Sequence, residues 1–180
     1  MNDNIKFLDE EIVEKTRSED QSLYFVIIER YQSKLLRYVF NLIKDEDKAA
    51  DVVQETFIKA FINLNGFDTK KKFSSWIYRI AHNETLNIIK KYEKETPIPD
   101  DFEVESEESI EKDFEKREIK NRVEKCLSDL PILYSEPLTL YYIDEKSYEE
   151  IGDILQIPMG TVAVRISRAK VLMKKICQKI

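Results

Sequence analysis

Between Glu93 and Glu111 the chain carries Pro97, Pro99 and a run of acids, with few large apolar side chains. A stretch of that composition cannot bury enough apolar surface to offset the entropy of ordering it. At roughly twenty residues it is also long for a loop inside one compact domain. It divides the 180-residue chain into two flanks, each of which has to build its own small core. The expected organisation is a helical domain over 1–92, a flexible acidic linker over 93–112 and a second helical domain over 113–180.

Both flanks read as helical. Over Ser22–Lys44 the apolar residues Phe25, Ile28, Leu35, Leu36, Val39 and Leu42 recur largely by threes and fours. Asp45–Asn63 follows with Ala49, Val52, Val53, Phe57, Ala60 and Phe61 on one broad face. Gly66 is expected to end that region as a left-handed cap or turn residue. Phe73–Tyr92 places Trp76, Ile77, Ile80, Ala81 and Ile88 on its apolar side, with Ser74 or Ser75 as its cap. After the linker, Asp113–Leu130 and Pro131–Ile143 are two further helices. Pro131 suits a first turn, and Pro137 should kink the second helix or delay its start. No segment sustains a period of two, and 3 Gly and 5 Pro are too few for a turn-rich sandwich. The expected fold class is all-α.

The last third has the layout of a helix-turn-helix. Ser147-Tyr148-Glu149-Glu150 is a capping box, in which hydroxyl and carboxylate satisfy free backbone donors at a helix start. Ile151, Ile154 and Leu155 then face a core, and Gly152 is small enough to let a second helix cross closely. Gln156-Ile157-Pro158-Met159-Gly160 is the turn. In the second helix Val162, Ile166, Ala169, Met173 and Ile176 form one buried stripe. Ala163, Val164, Ser167, Arg168, Val171, Lys174 and Lys175 lie opposite. A recognition helix needs that division: a buried stripe, then small and basic residues free to enter the major groove. Basic residues alone would fit a solvated helix face better. The capping box, the turn and the preceding short helix favour DNA binding.

Charge qualifies this reading. The chain holds 29 basic against 35 acidic residues, a net charge of −6. Thr161–Ile180 nevertheless carries Arg165, Arg168, Lys170, Lys174, Lys175 and Lys179 and no acid. An acidic protein with one basic helix is a poor autonomous binder of nucleic acid, because phosphate contacts carry most of the affinity.

A second constellation runs from Gly66 to Arg79, where Lys70, Lys71, Lys72 and Arg79 interleave with Phe67, Phe73, Trp76 and Tyr78. Aromatic faces and basic side chains together suit single-stranded DNA, although Phe73 and Trp76 read as core residues. His82, the only histidine, has no partner at metal-ligand spacing. No phosphate-binding glycine loop, nucleophile elbow or paired-carboxylate pattern occurs. The expectation is a non-enzyme without metal, cofactor or small-molecule substrate. The longest apolar run, Tyr24–Ile28, is far short of the roughly twenty residues of a membrane span. Met1–Glu10 lacks the layout of a signal peptide. With Cys126 and Cys177 far apart, a cytoplasmic protein with two reduced thiols is expected.

Asp51-Val52-Val53-Gln54-Glu55-Thr56-Phe57-Ile58-Lys59-Ala60-Phe61, followed by Phe73-Ser74-Ser75-Trp76-Ile77-Tyr78-Arg79-Ile80-Ala81-His82-Asn83, resembles region 2 of bacterial sigma factors of the extracytoplasmic-function group. Leu130-Pro131, Ser147–Gly152 and Ile157–Val162 resemble their region 4. The resemblance implies an alternative sigma factor. Region 2 would bind the clamp helices of the largest catalytic subunit of core RNA polymerase through Asp51, Gln54 and Glu55. It would recognise and melt the minus-ten promoter element, contacting the displaced single strand with Lys70, Lys71, Lys72, Ser74, Ser75, Tyr78, Arg79 and Asn83. Region 4 would bind the duplex minus-thirty-five element with Thr161, Ala163, Val164, Arg165, Ser167, Arg168 and Lys170. The linker would enter the polymerase active-site channel, and an anti-sigma factor would be a further partner. The rival reading is a stand-alone helix-turn-helix repressor or activator that dimerises through its N-terminal helices.

Overall fold

The structure, a computed structural model, describes residues 7–95, 123 and 125–178. Most of the expected linker, and the helix expected over 113–130 apart from a helical turn at 125–128, lie outside the described residues. Seven helices order the described chain: α1 (Asp9–Ser18), α2 (Tyr24–Ile43), α3 (Glu46–Ile62), α4 (Phe73–Glu95), α5 (Ile132–Tyr142), α6 (Tyr148–Leu155) and α7 (Met159–Cys177).

Helix α1 is not among the helices expected from periodicity. Asp9, Glu10 and Glu11 occupy its first turn and Lys15 and Arg17 its last, complementing the helix dipole at both ends. The Glu11 carboxylate accepts from the Leu8 N–H at 2.8 Å. Ile12, Val13 and Thr16 are buried beneath it. Helix α2 ends where Lys44 turns left-handed at φ 59°, and its N–H donates to the Phe40 carbonyl. Asp45 follows at once as N-cap of α3, accepting from the Lys48 N–H at 3.0 Å. These two caps bring the long helices side by side.

One expected stop signal is narrowed to the second of its two forms, a turn residue, and one start signal is corrected. Helix α3 ends at Ile62, and Gly66 lies in a short 3-10 turn (Leu64–Gly66) without a positive φ, so it is not a left-handed cap. The start of α4 is not capped by Ser74 or Ser75, which lie within its first turn. The Glu10 carboxylate of α1 accepts from the Phe73 N–H at 2.7 Å.

The N-terminal core gathers Ile27, Tyr31, Leu35, Tyr38 and Val39 of α2, Ala49, Val52 and Ala60 of α3, and Phe73, Ile77, Tyr78 and Ala81 of α4. The C-terminal core gathers Leu138 and Leu140 of α5, Ile151 and Ile154 of α6, and Val162, Ile166 and Ala169 of α7. Pro137 sits inside α5, yet the helix starts at Ile132, so the proline does not delay it. Ser135 through Leu140 are all buried, because α5 packs between α7 on one side and α2 on the other. Helix α6 likewise packs on both α7 and α4. The N- and C-terminal helices therefore share an extensive contact.

The two cysteines are not free thiols. Cys126 and Cys177 form a disulfide with Cα atoms 5.5 Å apart, across a sequence separation of 51. It ties the segment before α5 to the end of α7. The expected pair of reduced thiols is thereby corrected: residues 51 apart in sequence are neighbours in space.

Candidate nucleic-acid interface

The helix-turn-helix is built from its caps inward. The Ser147 hydroxyl accepts from the Glu150 N–H at 3.2 Å, and the Glu150 carboxylate accepts from the Ser147 N–H at 2.9 Å. Both halves of the capping box are present. Helix α6 ends at Gln156, left-handed at φ 56°, and the Ile157 N–H returns to the Gly152 carbonyl at 3.1 Å. Gly152 is required there for a specific reason. A Cβ at this position would stand 2.9 Å from the Ile157 carbonyl oxygen and 3.9 Å from Val162.

Helix α7 divides as its sequence predicts. Val162, Ile166 and Ala169 are buried, and Met173 and Ile176 pack against that core. Val164, Ser167 and Arg168 are exposed on the other side, and Thr161, Ala163 and Arg165 are half-buried at its edge. Lys170 is exposed but engaged: its ammonium lies 5.2 Å from the Tyr142 ring centre. Its hydrogen bond to Tyr142 holds it above the ordinary lysine range.

The predicted single-strand surface is split in two. Lys70, Lys71 and Asn83 are exposed. Phe73 is fully buried and Trp76 half-buried, in an aromatic cluster with Phe67 whose ring centres lie 5.0–5.5 Å apart. That agrees with their reading as core residues. The other predicted contacts face the C-terminal helices. Lys72 pairs with Glu150 at 3.1 Å, and Arg79 Nε donates to the Asp153 carbonyl at 2.7 Å. Ser74 is half-buried. Ser75 and Tyr78 are buried, so in this arrangement neither side chain is presented to a ligand.

Tyr78 belongs to a polar seam between the N- and C-terminal helices. Asp144 Oδ1 accepts from Arg37 Nη2 at 2.7 Å and from the Tyr78 hydroxyl at 3.3 Å. Its Oδ2 is buried without a partner. Burial raises the Asp144 carboxyl above its usual range, against the opposing pull of the Arg37 guanidinium. Beside it, Glu136 Oε1 accepts from the Tyr38 hydroxyl at 2.5 Å and lies 2.6 Å from His82 Nδ1. Burial pushes the Tyr38 and Tyr78 hydroxyls far up, and the neighbouring carboxylates add to the effect. Sequence reasoning missed Arg37, Tyr38, Glu136 and Asp144. A lone acid in an apolar helix, as Glu136 is in α5, was the available signal.

Asp51, Gln54 and Glu55 are exposed together on α3. Among the described residues no group of three or more His, Cys, Asp or Glu is arranged to hold a metal, and no helix is long and apolar enough to cross a membrane.

Residues 27–95 match the sigma-70 region 2 family, and residues 120–173 match the sigma-70 region 4 family. The chain is 32% identical to the ECF RNA polymerase sigma factor SigW of Bacillus subtilis, over 91% of this chain and 93% of that protein. It is 34% identical to the ECF RNA polymerase sigma-E factor of Escherichia coli, over 90% of each. Its fold is similar to that of CnrH solved with the cytosolic domain of CnrY, with a TM-score of 0.74, 22% identity and coverage of 95% of this chain and 97% of that one. It is similar as well to the sigma factor RpoE solved with the anti-sigma factor NepR from Bartonella quintana, with a TM-score of 0.72, 23% identity and coverage of 86% and 96%. With matches to both regions in order, and relatives above 30% identity along nearly the whole chain, this protein belongs to the extracytoplasmic-function sigma factors of the sigma-70 family.

Proposed function

We propose that the chain, as an alternative sigma factor, binds core RNA polymerase through the α3 face carrying Asp51, Gln54 and Glu55 and brings it to promoters read at two sites. The exposed face of α7 (Val164, Ser167, Arg168, with Ala163 and Arg165 at its edge) takes the minus-thirty-five duplex. The lysine loop before α4, with Arg79 and Asn83, takes the melted minus-ten strand. The observation that carries this reading is the division of α7 into a buried stripe and an exposed basic face behind a complete capping box. The chain would act without catalysis or cofactor, in the cytoplasm, with the polymerase supplying the chemistry. The similar sigma factor RpoE, solved with the anti-sigma factor NepR, supports an anti-sigma protein as its other partner.

Lys72 and Arg79 meet the C-terminal helices through a carboxylate and a carbonyl. Both acceptors occupy places a phosphate would take. Promoter binding therefore exchanges these contacts for DNA and requires the two halves to separate.

A gel shift with a promoter fragment, with and without core polymerase, tests the proposal. Weak binding by the protein alone and specific binding with core is expected, given the net charge of −6. Tight specific binding by the protein alone at physiological salt would instead favour a free-standing repressor.

A further inference from the structure

The lysine loop is held only in part by its own residues, through Asp68, which accepts from the Lys70 N–H at 3.1 Å and the Lys71 N–H at 2.9 Å. It is held as well by α1, the helix that periodicity missed. Arg17 Nε donates to the Leu64 carbonyl at 3.0 Å. Arg17 Nη2 donates to the same carbonyl and, at 2.5 Å, to that of Phe67. One turn earlier, Glu14 Oε1 accepts from the Thr69 hydroxyl at 2.8 Å and pairs with Arg17 Nη1 at 3.2 Å. One turn earlier again, Glu10 Oε1 accepts from the Phe73 N–H at 2.7 Å. Three residues on one face of α1 thus grip the loop at Leu64, Phe67, Thr69 and Phe73, along its whole length. The grips fall on backbone groups or on a hydroxyl, and Lys70 and Lys71 stay exposed between them.

We infer that α1 is a positioning element for minus-ten recognition, in which Arg17 and Glu14, with Glu10 behind them, fix the loop in the shape that receives the displaced strand. The inference rests on the assignment of this loop as the minus-ten reader. A guanidinium forked across two carbonyls is a charge-assisted, geometrically specific clamp that a lysine cannot reproduce. Without it the loop has to be ordered each time DNA binds, and that ordering is subtracted from affinity and from discrimination between bases. None of the three residues needs to touch DNA.

The test uses the full chain assembled with core polymerase. The probe is a fork-junction DNA library randomised at the minus-ten bases, with the bound fraction sequenced. Arg17→Lys and Thr69→Ala are compared with wild type, and Lys71→Ala serves as the loop control. In Arg17→Lys, binding to the preferred sequences should weaken on the order of tenfold, and the base-preference profile should flatten. Core polymerase affinity should stay as in wild type, while the melt falls modestly because two part-buried carbonyls lose their guanidinium donor. Thr69→Ala, an alteration at the surface of the loop, should shift the profile in the same direction by less. Wild-type profiles for Arg17→Lys and Thr69→Ala, beside an altered Lys71→Ala, would overturn the role of α1 and leave the loop as reader. A wild-type profile for Lys71→Ala as well would overturn the loop assignment itself. A fall in core affinity equal to the fall in DNA binding would reduce Arg17 to general stability and overturn the inference.

Discussion

Asp144 and Glu136 are acids placed where acids are costly, and each depends on named partners. Asp144 keeps one oxygen paired and one orphaned in a fully buried side chain. Arg37 is the foremost of the groups that hold its carboxyl down against burial, with Tyr78 and Lys146 beside it. In Arg37→Ala the folded-state value rises further above the unfolded one. A group shifted upward contributes its stability in full below the unfolded value and loses it as pH rises through the folded value. The Arg37→Ala deficit should therefore be largest near neutral pH and should close as pH falls toward the ordinary aspartate range. Its size should be about 1 kcal/mol, because Arg37 is itself half exposed. Thermal melts of wild type and variant across that pH range check both sign and size; a deficit that grows on acidification contradicts the account. Glu136 serves Tyr38 and His82 at once. Glu136→Ala leaves the buried Tyr38 hydroxyl and the part-buried His82 ring without their partner and should lower stability by ~1–3 kcal/mol, read from denaturant unfolding.

Helix α7 separates packing from reading along its length. Ile166 is 1% exposed in the C-terminal core, so Ile166→Ala should cost roughly 2–5 kcal/mol through lost packing and cavity formation. Arg168 is exposed and should be neutral to stability. Arg168→Ala should lower minus-thirty-five binding by ~1–3 kcal/mol at one base pair if it reads a base, or evenly over all sequences if it touches phosphate. In vitro transcription over minus-thirty-five variants distinguishes these, and unchanged activity and preference would remove this face from DNA contact. At the turn, Gly152→Ala sets a helix-propensity gain of about 1 kcal/mol against a Cβ 2.9 Å from a backbone carbonyl. The clash involves backbone on both sides and cannot be relieved by a rotamer change. The variant should melt lower than wild type, and a higher melting temperature would show that the turn yields.

The elements recovered from sequence alone are those whose signal is local. Helices α2, α3, α4 and α7 repeat their apolar residues over many turns, and α6 announces itself through its capping box. Helix α1 is 10 residues long with three buried side chains, too short for periodicity to stand out. Its meaning lies in carbonyls some fifty residues away. The Asp144, Glu136 and cysteine pairings are equally non-local, with sequence separations of 51 for the disulfide and 98 for Tyr38 with Glu136. Composition and spacing do not carry that information. Tyr78 illustrates the limit. Its neighbours Lys72 and Arg79 marked it as an exposed aromatic on a basic surface, yet it is 1% exposed, because α6 and the segment before it cover that side of α4.

Across the whole molecule, two halves meet at a seam that carries a set of polar contacts beside continuous apolar packing, and the C-terminal half is additionally closed by its disulfide. Reduction should lower the melting temperature of the C-terminal helices, by an amount equivalent to ~2–4 kcal/mol for a closed loop of this kind. The N-terminal core should be affected less, and only through the face it shares with those helices; near-ultraviolet melts with and without reductant resolve the two, Trp76 reporting the N-terminal half. The seam is different in kind. Its contacts occupy Lys72 and Arg79, which the proposed function needs for DNA, so under that proposal the protein on a promoter would use a different arrangement of the same helices. The most direct measurement is permanganate reactivity of thymines in the minus-ten region, on a promoter selected with the assembled holoenzyme. The account predicts reactivity when the chain and core polymerase are both present, and none with either alone. It also predicts loss of reactivity when Asp51 and Gln54 are both replaced by Ala, with the protein still folded. Opening that persists in that double variant would contradict the assignment of α3, and a complex that binds without opening the minus-ten bases would contradict the central claim.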